Sequence, residues 1–162
     1  MAVSPEQLRD AMARFATGVT VVTTVLDHGD IHGMTANAFA SVSLDPPLVL
    51  VSIARQRNTH IHIERSGRFG VNILAQNQEA VARYFAQDDR TPGEEPKALW
   101  RLNEGGSPRM EEALVFLECL VMASHSYGDH TIFIAEVEEV KVQPGRPLLF
   151  YEGLLQDFRD AP

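Results

Sequence analysis

Two apolar runs, LVFLECLVMASHSY (114–127) and TIFIAEVEEVKV (131–142), flank the pair Gly128-Asp129. A Gly-Asp pair between such runs predicts a tight antiparallel hairpin, because glycine tolerates the positive φ that narrow turns require. The apolar parity changes between Val137 and Val140, which predicts a bulge in the second strand. A hairpin this long commits the last third of the chain to sheet.

The upstream sequence adds shorter strands. VTVVTTVL (19–26) is dominated by β-branched residues, and DHGD turns the chain into a second strand near Ile31. LVLVSI (48–53) is a continuous apolar run, as in a strand buried on both faces. FGVNIL and PLLFYEG complete the set. Three helices are expected around them. Ser4, Pro5 and Gln7 form a capping-box start for the first, with Leu8, Met12 and Phe15 along one face and Gly18 as its stop. NTHIHIERSG reads as a short helix closed by Gly67, and QNQEAVARYFA as a helix with Val81, Tyr84 and Phe85 on its inner side. The expected fold is mainly β, a single domain over residues 1–162. A small antiparallel β-barrel with peripheral helices is the architecture that removes exposed edges.

From Asp88 to Pro108 the sequence is polar and rich in Pro and Gly, so a mobile loop is expected at about 88–108, anchored by Trp100 and Leu102. No apolar run reaches the roughly 20 residues that span a bilayer. The start, MAVSPEQLRDAMARF, has no apolar signal core. A lone Cys119 amid VFLECLVMA reads as a small buried hydrophobe and fits a reducing cytoplasm. A formal net charge of −8 argues against nonspecific nucleic-acid binding.

Familiar motifs are missing: there is no Gly-x-Gly-x-x-Gly after a strand, no phosphate-binding P-loop and no cysteine set for zinc. His60 and His62 read as a solvated or ligand-adjacent pair rather than a metal site, and His28 and His32 as surface histidines around a turn. More informative is GMTANAFASVSLDPP (33–47), where Thr35, Asn37, Ser41 and Ser43 alternate with small Ala36, Ala38 and Ala40. Small side chains let a flat ligand approach the backbone, whose N–H and C=O groups then read its polar edge. The same residues also suit a polar loop whose hydroxyls cap turns. ARQRNT places Arg55 and Arg57 at a helix start, which suits a phosphate anchor or an exposed basic loop. His130 follows the hairpin turn, at the mouth of a barrel, and Tyr151 sits in the last strand.

Taken together, FATGVTVVTT, HGMTANAFASVSLDPPLVLVSI, SGRFGVNIL, YGDHTIFIAEVEEV and PLLFYEG resemble, in order and spacing, the short-chain flavin reductases, the NAD(P)H-dependent components of two-component flavin monooxygenases. The resemblance runs from about Phe15 to Leu155. It implies an FMN-binding split barrel, a homodimer, and FMN or FAD with NADH or NADPH as cofactors. It further implies that Met34, Thr35, Ala36, Asn37 and Ala38 line the flavin ring, and that Ser52, Arg57, Asn58 and Thr59 follow its phosphate. Phe85 would close over the flavin, Tyr151 would help bound the site, and Gly18 and Val19 would lie near the same pocket. His130 would be the catalytic-site histidine beside the nicotinamide. Relatives carry TANS followed by Thr where this chain has Ala38 and Ala40, which removes one or two side-chain hydrogen bonds to the flavin.

On this reading hydride passes directly between the two cofactors, and the protein stacks their rings. Backbone N–H groups near 35–38 would stabilise charge on the reduced ring. Reduced flavin would leave for an oxygenase component, with the 88–108 loop as a gate. The alternatives are a non-catalytic flavin- or haem-binding barrel, a pyridoxamine-phosphate-oxidase-like enzyme, and a purely structural dimer.

Overall fold

The alternating and β-branched runs become strands, as expected, in a computed structural model that describes residues 2–26, 29–90, 100–102 and 106–158. In chain order the elements are α1 (Pro5–Met12), β1 (Thr17–Gly18), β2 (Thr20–Val25), β3 (Ile31–Ala36), β4 (Phe39–Leu44) and β5 (Pro47–Ala54). There follow α2 (Asn58–Ser66), β6 (Arg68–Ile73), a 3₁₀ turn (Gln76–Gln78), α3 (Glu79–Ala86), β7 (Trp100–Arg101) and β8 (Arg109–Met110). The long hairpin is β9 (Val115–Tyr127) with β10 (His130–Val142), and β11 (Leu148–Tyr151) and β12 (Leu154–Asp157) end the chain.

Seven strands form one antiparallel sheet in the order β3-β2-β6-β9-β10-β5-β4. Gly128 takes φ 57° in the β9–β10 turn, and the ladder slips between Val137 and Glu139, where the parity change predicted a bulge. The sheet does not close into a barrel. Its edges, β3 and β4, are consecutive strands joined through Asn37-Ala38, but no ladder links them. Closure was expected because it hides edges; here β3 and β4 remain the edges of an open sheet.

β2 is buried along nearly its whole length, because each of its faces meets a different core. On one face Val22 joins Val51, Ile53, Ile63, Phe69, Val71, Cys119, Phe133 and Ala135. On the other, Val19 and Val21 join Leu74, Val81, Ala82, Phe85, Met110 and Leu148. Each fully buried large side chain, such as Phe69 or Phe133, contributes about 1.5–3 kcal/mol by leaving water. Burial also pushes the Cys119 thiol up to about 12, so it behaves as the small hydrophobe its neighbours imply.

Four further expectations need correction. The capping box of Ser4 and Gln7 forms, but α1 stops at Ala13, and Thr17-Gly18 instead pairs with β11. Leu8, Met12 and Phe15 lie exposed rather than packed against this chain. The small-residue stretch contains a strand, β4, whose hairpin with β5 turns at Asp45-Pro46. PLLFYEG supplies a strand as expected, β11, but not the last one, because the chain turns at Glu152-Gly153 into β12.

The C-terminal end of the 88–108 segment is held firmly. Trp100-Arg101 pairs with Arg109-Met110, and Ser107 and Pro108 are buried. The Ser107 amide and hydroxyl both donate to the Glu118 carboxylate at 2.8 Å, Thr23 donates to the Pro108 carbonyl at 2.6 Å, and the Met110 amide donates to Asn72 at 2.7 Å. Burial nevertheless raises the Glu118 pKa above the usual carboxylate range, against the opposing pull of the Ser107 bonds. Residues 91–99 and 103–105, which would form the gate, lie outside the described residues.

Candidate active site

Three clefts with shared walls form a groove along edge strand β3. The first, about 240 Å³, is lined by Met34, Thr35, Ala36, Asn37, Ala38, Ser52, Ala54, Arg57, Ala86 and His130. The second, about 400 Å³, shares Met34 and Arg57 with it and adds His32, Gln56, Asn58, Thr59, Phe85, Gln87, Asp88, Asp89 and Arg90. The third, about 450 Å³, shares Thr35, Ala36, Asn37 and Ala86 and adds Val19, Ala82, Arg83, Phe150, Gly153 and Leu155.

Most of the residues expected at a site from the sequence come together in these clefts. Eight of them, Met34 to Ala38, Ser52, Arg57 and His130, line the first cleft. Asn58, Thr59 and Phe85 line the second. Tyr151 lines none of the three, whereas its neighbour Phe150 lines the third. Adjacent residues of a strand point to opposite faces, so a one-residue parity error moves the aromatic off the site.

The wall of the first cleft is made of small residues for a structural reason. β3 lies at the sheet edge and, among the described residues, β2 is its only ladder partner, so alternate backbone N–H and C=O groups of β3 point away from β2. Ala36, Ala38, Ala54 and Ala86 keep side-chain bulk away from those groups. The Thr35 hydroxyl, however, donates to the Ala82 carbonyl at 2.7 Å, and Thr20 donates to the Ala36 carbonyl at 2.7 Å. Thr35 thus fastens β3 to α3, and its hydroxyl hydrogen is not available to a ligand. Ser41 and Ser43 belong to β4 and line none of the three clefts.

The cleft also takes in the start of α2, at Arg57. This N-cap residue makes no side-chain capping bond, in contrast to the self-capped α1. The first-turn amides and the helix dipole therefore point an uncapped positive end at the groove. Arg57 itself pairs with Asp88 across the second cleft. Arg55, read alongside Arg57 as a phosphate anchor, is used elsewhere: its guanidinium donates to the Gly128 carbonyl at 2.7 Å and its amide to the Asp129 carbonyl at 2.9 Å. It straps the β9–β10 turn to the end of β5.

That strap also positions His130. His130 opens β10, opposite Ala54 of β5, and its Nδ1 meets the Asp129 carboxylate at 2.7 Å. The same bond is the largest reason that Asp129 stays ionised below the usual carboxylate range. With Nδ1 donating to Asp129, Nε2 is the nitrogen that remains to meet a ligand. Asp129 was readable in the sequence only as a turn residue; the carboxylate next to a histidine was the signal.

Of the pair read as solvated or ligand-adjacent, His62 is half-buried and His60 is not solvated. His60 is buried, with Nε2 at 2.8 Å from the Thr131 hydroxyl and its ring 5.4 Å from Phe133. His62 instead meets His32, ring to ring at 5.0 Å. Positions two apart on a helix diverge, so the pair cannot converge on one ligand. The His32 Nε2 lies 2.8 Å from the Thr59 hydroxyl. Burial first, then the charges of Arg90 and His62, lower the His32 pKa to about 4, so it is neutral near pH 7. Arg90 lies over Phe85 and Tyr84, 5.1 and 5.7 Å from the ring centres, in a cation–π arrangement. His28 lies outside the described residues.

A groove with a small-residue wall, an open helix N-terminus and an oriented histidine fits a flat heterocycle carrying a phosphate, placed beside a second ring. Comparison with known proteins gives the family. Residues 12–159 match the model of the flavin reductase like domain. The NADH-dependent flavin reductase of a Rhodococcus species is 46% identical over 166 residues, covering 99% of this chain and 92% of that protein. The reductase subunit HsaB of a flavin-dependent monooxygenase from Mycobacterium tuberculosis is 38% identical, covering 93% of this chain and 81% of that protein. The solved structure of the Streptomyces globisporus NADH:FAD oxidoreductase SgcE6, in complex with NAD and FAD fragments, superposes with a TM-score of 0.86. It is 38% identical and covers 100% of this chain and 98% of that one. The chain belongs to the flavin reductase like domain family.

Proposed function

We propose that this protein is an NAD(P)H-dependent flavin reductase that reduces FMN or FAD and supplies the reduced flavin to a partner monooxygenase. The observation that carries the reading is the first cleft itself. An alanine-rich wall with outward backbone groups shares this cleft with Arg57, at the open N-terminus of α2, and with His130.

Bound flavin supplies the hydride-accepting ring, and the nicotinamide nucleotide supplies the hydride. The chain's own residues bind, orient and polarise. Ala36, Ala38, Ala54 and Ala86 leave room for a planar ring against β3. Edge-strand amides near 35–38 meet its polar side and favour negative charge there. Arg57, Asn58 and Thr59 hold the phosphate through the guanidinium and the first-turn amides of α2. The Thr59 hydroxyl already has His32 as a partner, so the backbone of Thr59 is the group that serves. Phe85 walls the phosphate side. His130, held by Asp129, presents Nε2 to the nicotinamide carboxamide.

Two coarser features take their finer form here. The open mainly-β sheet is the FMN-binding split barrel, with the Asn37-Ala38 joint as the split. The exposed Leu8, Met12 and Phe15 of the N-terminal segment, together with Val140, Val142 and Leu154, are surface for a second copy, which makes the protein a homodimer. The whole chain, 1–162, is one reductase domain. No helix among the described residues is long and apolar enough to cross a membrane, in keeping with work in the cytoplasm.

The test is steady-state NADH and NADPH oxidation with FMN, FAD and riboflavin added in turn, alongside a flavin binding titration. Turnover that depends on added flavin supports the reading. Absence of both flavin binding and flavin-dependent NADH consumption removes it.

A further inference from the structure

The geometry points to Asp88 as an intramolecular competitor for the flavin phosphate. Its carboxylate holds Arg57 when no phosphate does, and it must release Arg57 when a phosphorylated flavin arrives. The inference rests on the proposed placement of the phosphate at Arg57 and the start of α2.

Arg57 is one of two residues common to the first and second clefts, so its guanidinium stands where a chain leading from the ring cleft passes into the larger space. Asp88 lies two residues beyond α3 and lines that larger space beside Gln87, Asp89 and Arg90. The two side chains form an ion pair. Arg90, the other guanidinium of the second cleft, is seated on the Tyr84 and Phe85 rings. A carboxylate therefore occupies the guanidinium face that a phosphate would use.

The consequence concerns affinity rather than chemistry. If Arg57 stood unpaired, an arriving phosphate would gain the whole of the new ion pair. With Asp88 in place, one anion replaces another and only the difference contributes. Asp88 is 71% exposed and Arg57 36%, so water and salt screen the pair and it exchanges readily. The displaced carboxylate stays near the bound phosphate and repels it. On departure the carboxylate recaptures Arg57, so the cation is never left without an anion. A reductase that must release its reduced product is served by such a device.

The experiment compares FMN with riboflavin, which has the same ring and no phosphate. Dissociation constants are measured by flavin fluorescence on the full chain for the parent, Asp88→Asn, Arg57→Gln and the double variant. The parent should prefer FMN over riboflavin. Asp88→Asn should bind FMN roughly two- to fivefold more tightly, release it more slowly, and bind riboflavin unchanged. In the Arg57→Gln background the gain should vanish. If the parent does not distinguish FMN from riboflavin, the phosphate placement fails and the competitor role fails with it. If the parent does distinguish them, three results overturn the competitor role alone: FMN binding that is unchanged or weaker in Asp88→Asn, equal tightening of riboflavin, or a gain that survives Arg57→Gln.

Discussion

The Thr35 hydroxyl donates to the carbonyl of Ala82 across 2.7 Å, tying edge strand β3 to helix α3 through a single side chain. This bond sets the distance between two walls of the groove, because Thr35 and Ala82 both line its third cleft. Thr35→Val keeps the shape and deletes the bond. Its expected cost is about 0.5–1.5 kcal/mol of stability, read from denaturant unfolding, with weaker flavin binding as the walls loosen. Flavin affinity and stability both equal to the parent's would show that the groove does not depend on this tie.

A closer approach occurs at Gly33. A Cβ built there would meet the Phe85 ring at 2.8 and 2.9 Å and Val21 at 3.2 Å. Phe85 cannot retreat freely, since its ring is held edge-on by Tyr84 and Trp100 at centre distances of 5.0 and 5.8 Å. Gly33→Ala should therefore cost about 1–3 kcal/mol by overpacking and distort the second cleft, lowering flavin affinity as well. Gly18→Ala is the control, because a Cβ there meets nothing within 4 Å and the residue has no positive φ. Equal unfolding midpoints for the two variants would refute the argument.

These residues also show where sequence reading works and where it stops. The long hairpin and its bulge were legible because turn chemistry and apolar parity are local, and they agree with the Tyr127–His130 pairing and the slip after Val137. The 34–38 wall, Arg57 and His130 were legible because they stand in contiguous motifs. Strand β4 was not, since an edge strand of small and polar residues shows no alternation between a wet face and a dry one. Closure of the sheet was over-read, because pairing between β3 and β4 depends on hydrogen bonds that no side-chain pattern encodes. Arg55 and Arg57 look alike in sequence, and only the fold sends one to the Gly128 carbonyl and the other to Asp88. The tie from Thr35 to Ala82 and the close approach of Gly33 to Phe85 join segments about fifty residues apart, so neither leaves a local signal.

His32 provides a pH test. Its pKa falls from the ordinary 6.5 to about 4 on folding, mainly through burial, then through the positive charges of Arg90 and His62. The folded state thus binds this proton less readily than the unfolded chain, so stability should be complete above about pH 6.5 and decline as the pH falls toward 4. Because the ring is only partly buried, the expected loss is about 1–2 kcal/mol after allowing for solvent screening. His32→Gln can still bond to Thr59 but has no proton to gain. Between pH 6.5 and 4 its stability should fall less steeply than the parent's; parallel curves would remove His32 from the account.

The last prediction separates the roles of His130 and Arg57 in the groove. Asp129 holds His130 at Nδ1, and Arg55 holds the turn that carries both. If Nε2 meets the nicotinamide carboxamide, His130→Ala removes one hydrogen bond to the hydride donor and none to the flavin. The NADH KM should rise roughly three- to tenfold, the equivalent of one ordinary hydrogen bond, while the FMN dissociation constant stays within about twofold. Asp129→Asn keeps the imidazole but replaces its ionised anchor with a neutral amide, so it should raise the NADH KM by a smaller factor. Arg57→Gln should do the reverse, weakening FMN binding with little effect on riboflavin turnover. A His130→Ala enzyme with an unchanged NADH KM, or one whose FMN affinity falls as far as its NADH affinity, would place the nicotinamide somewhere other than the β9–β10 turn.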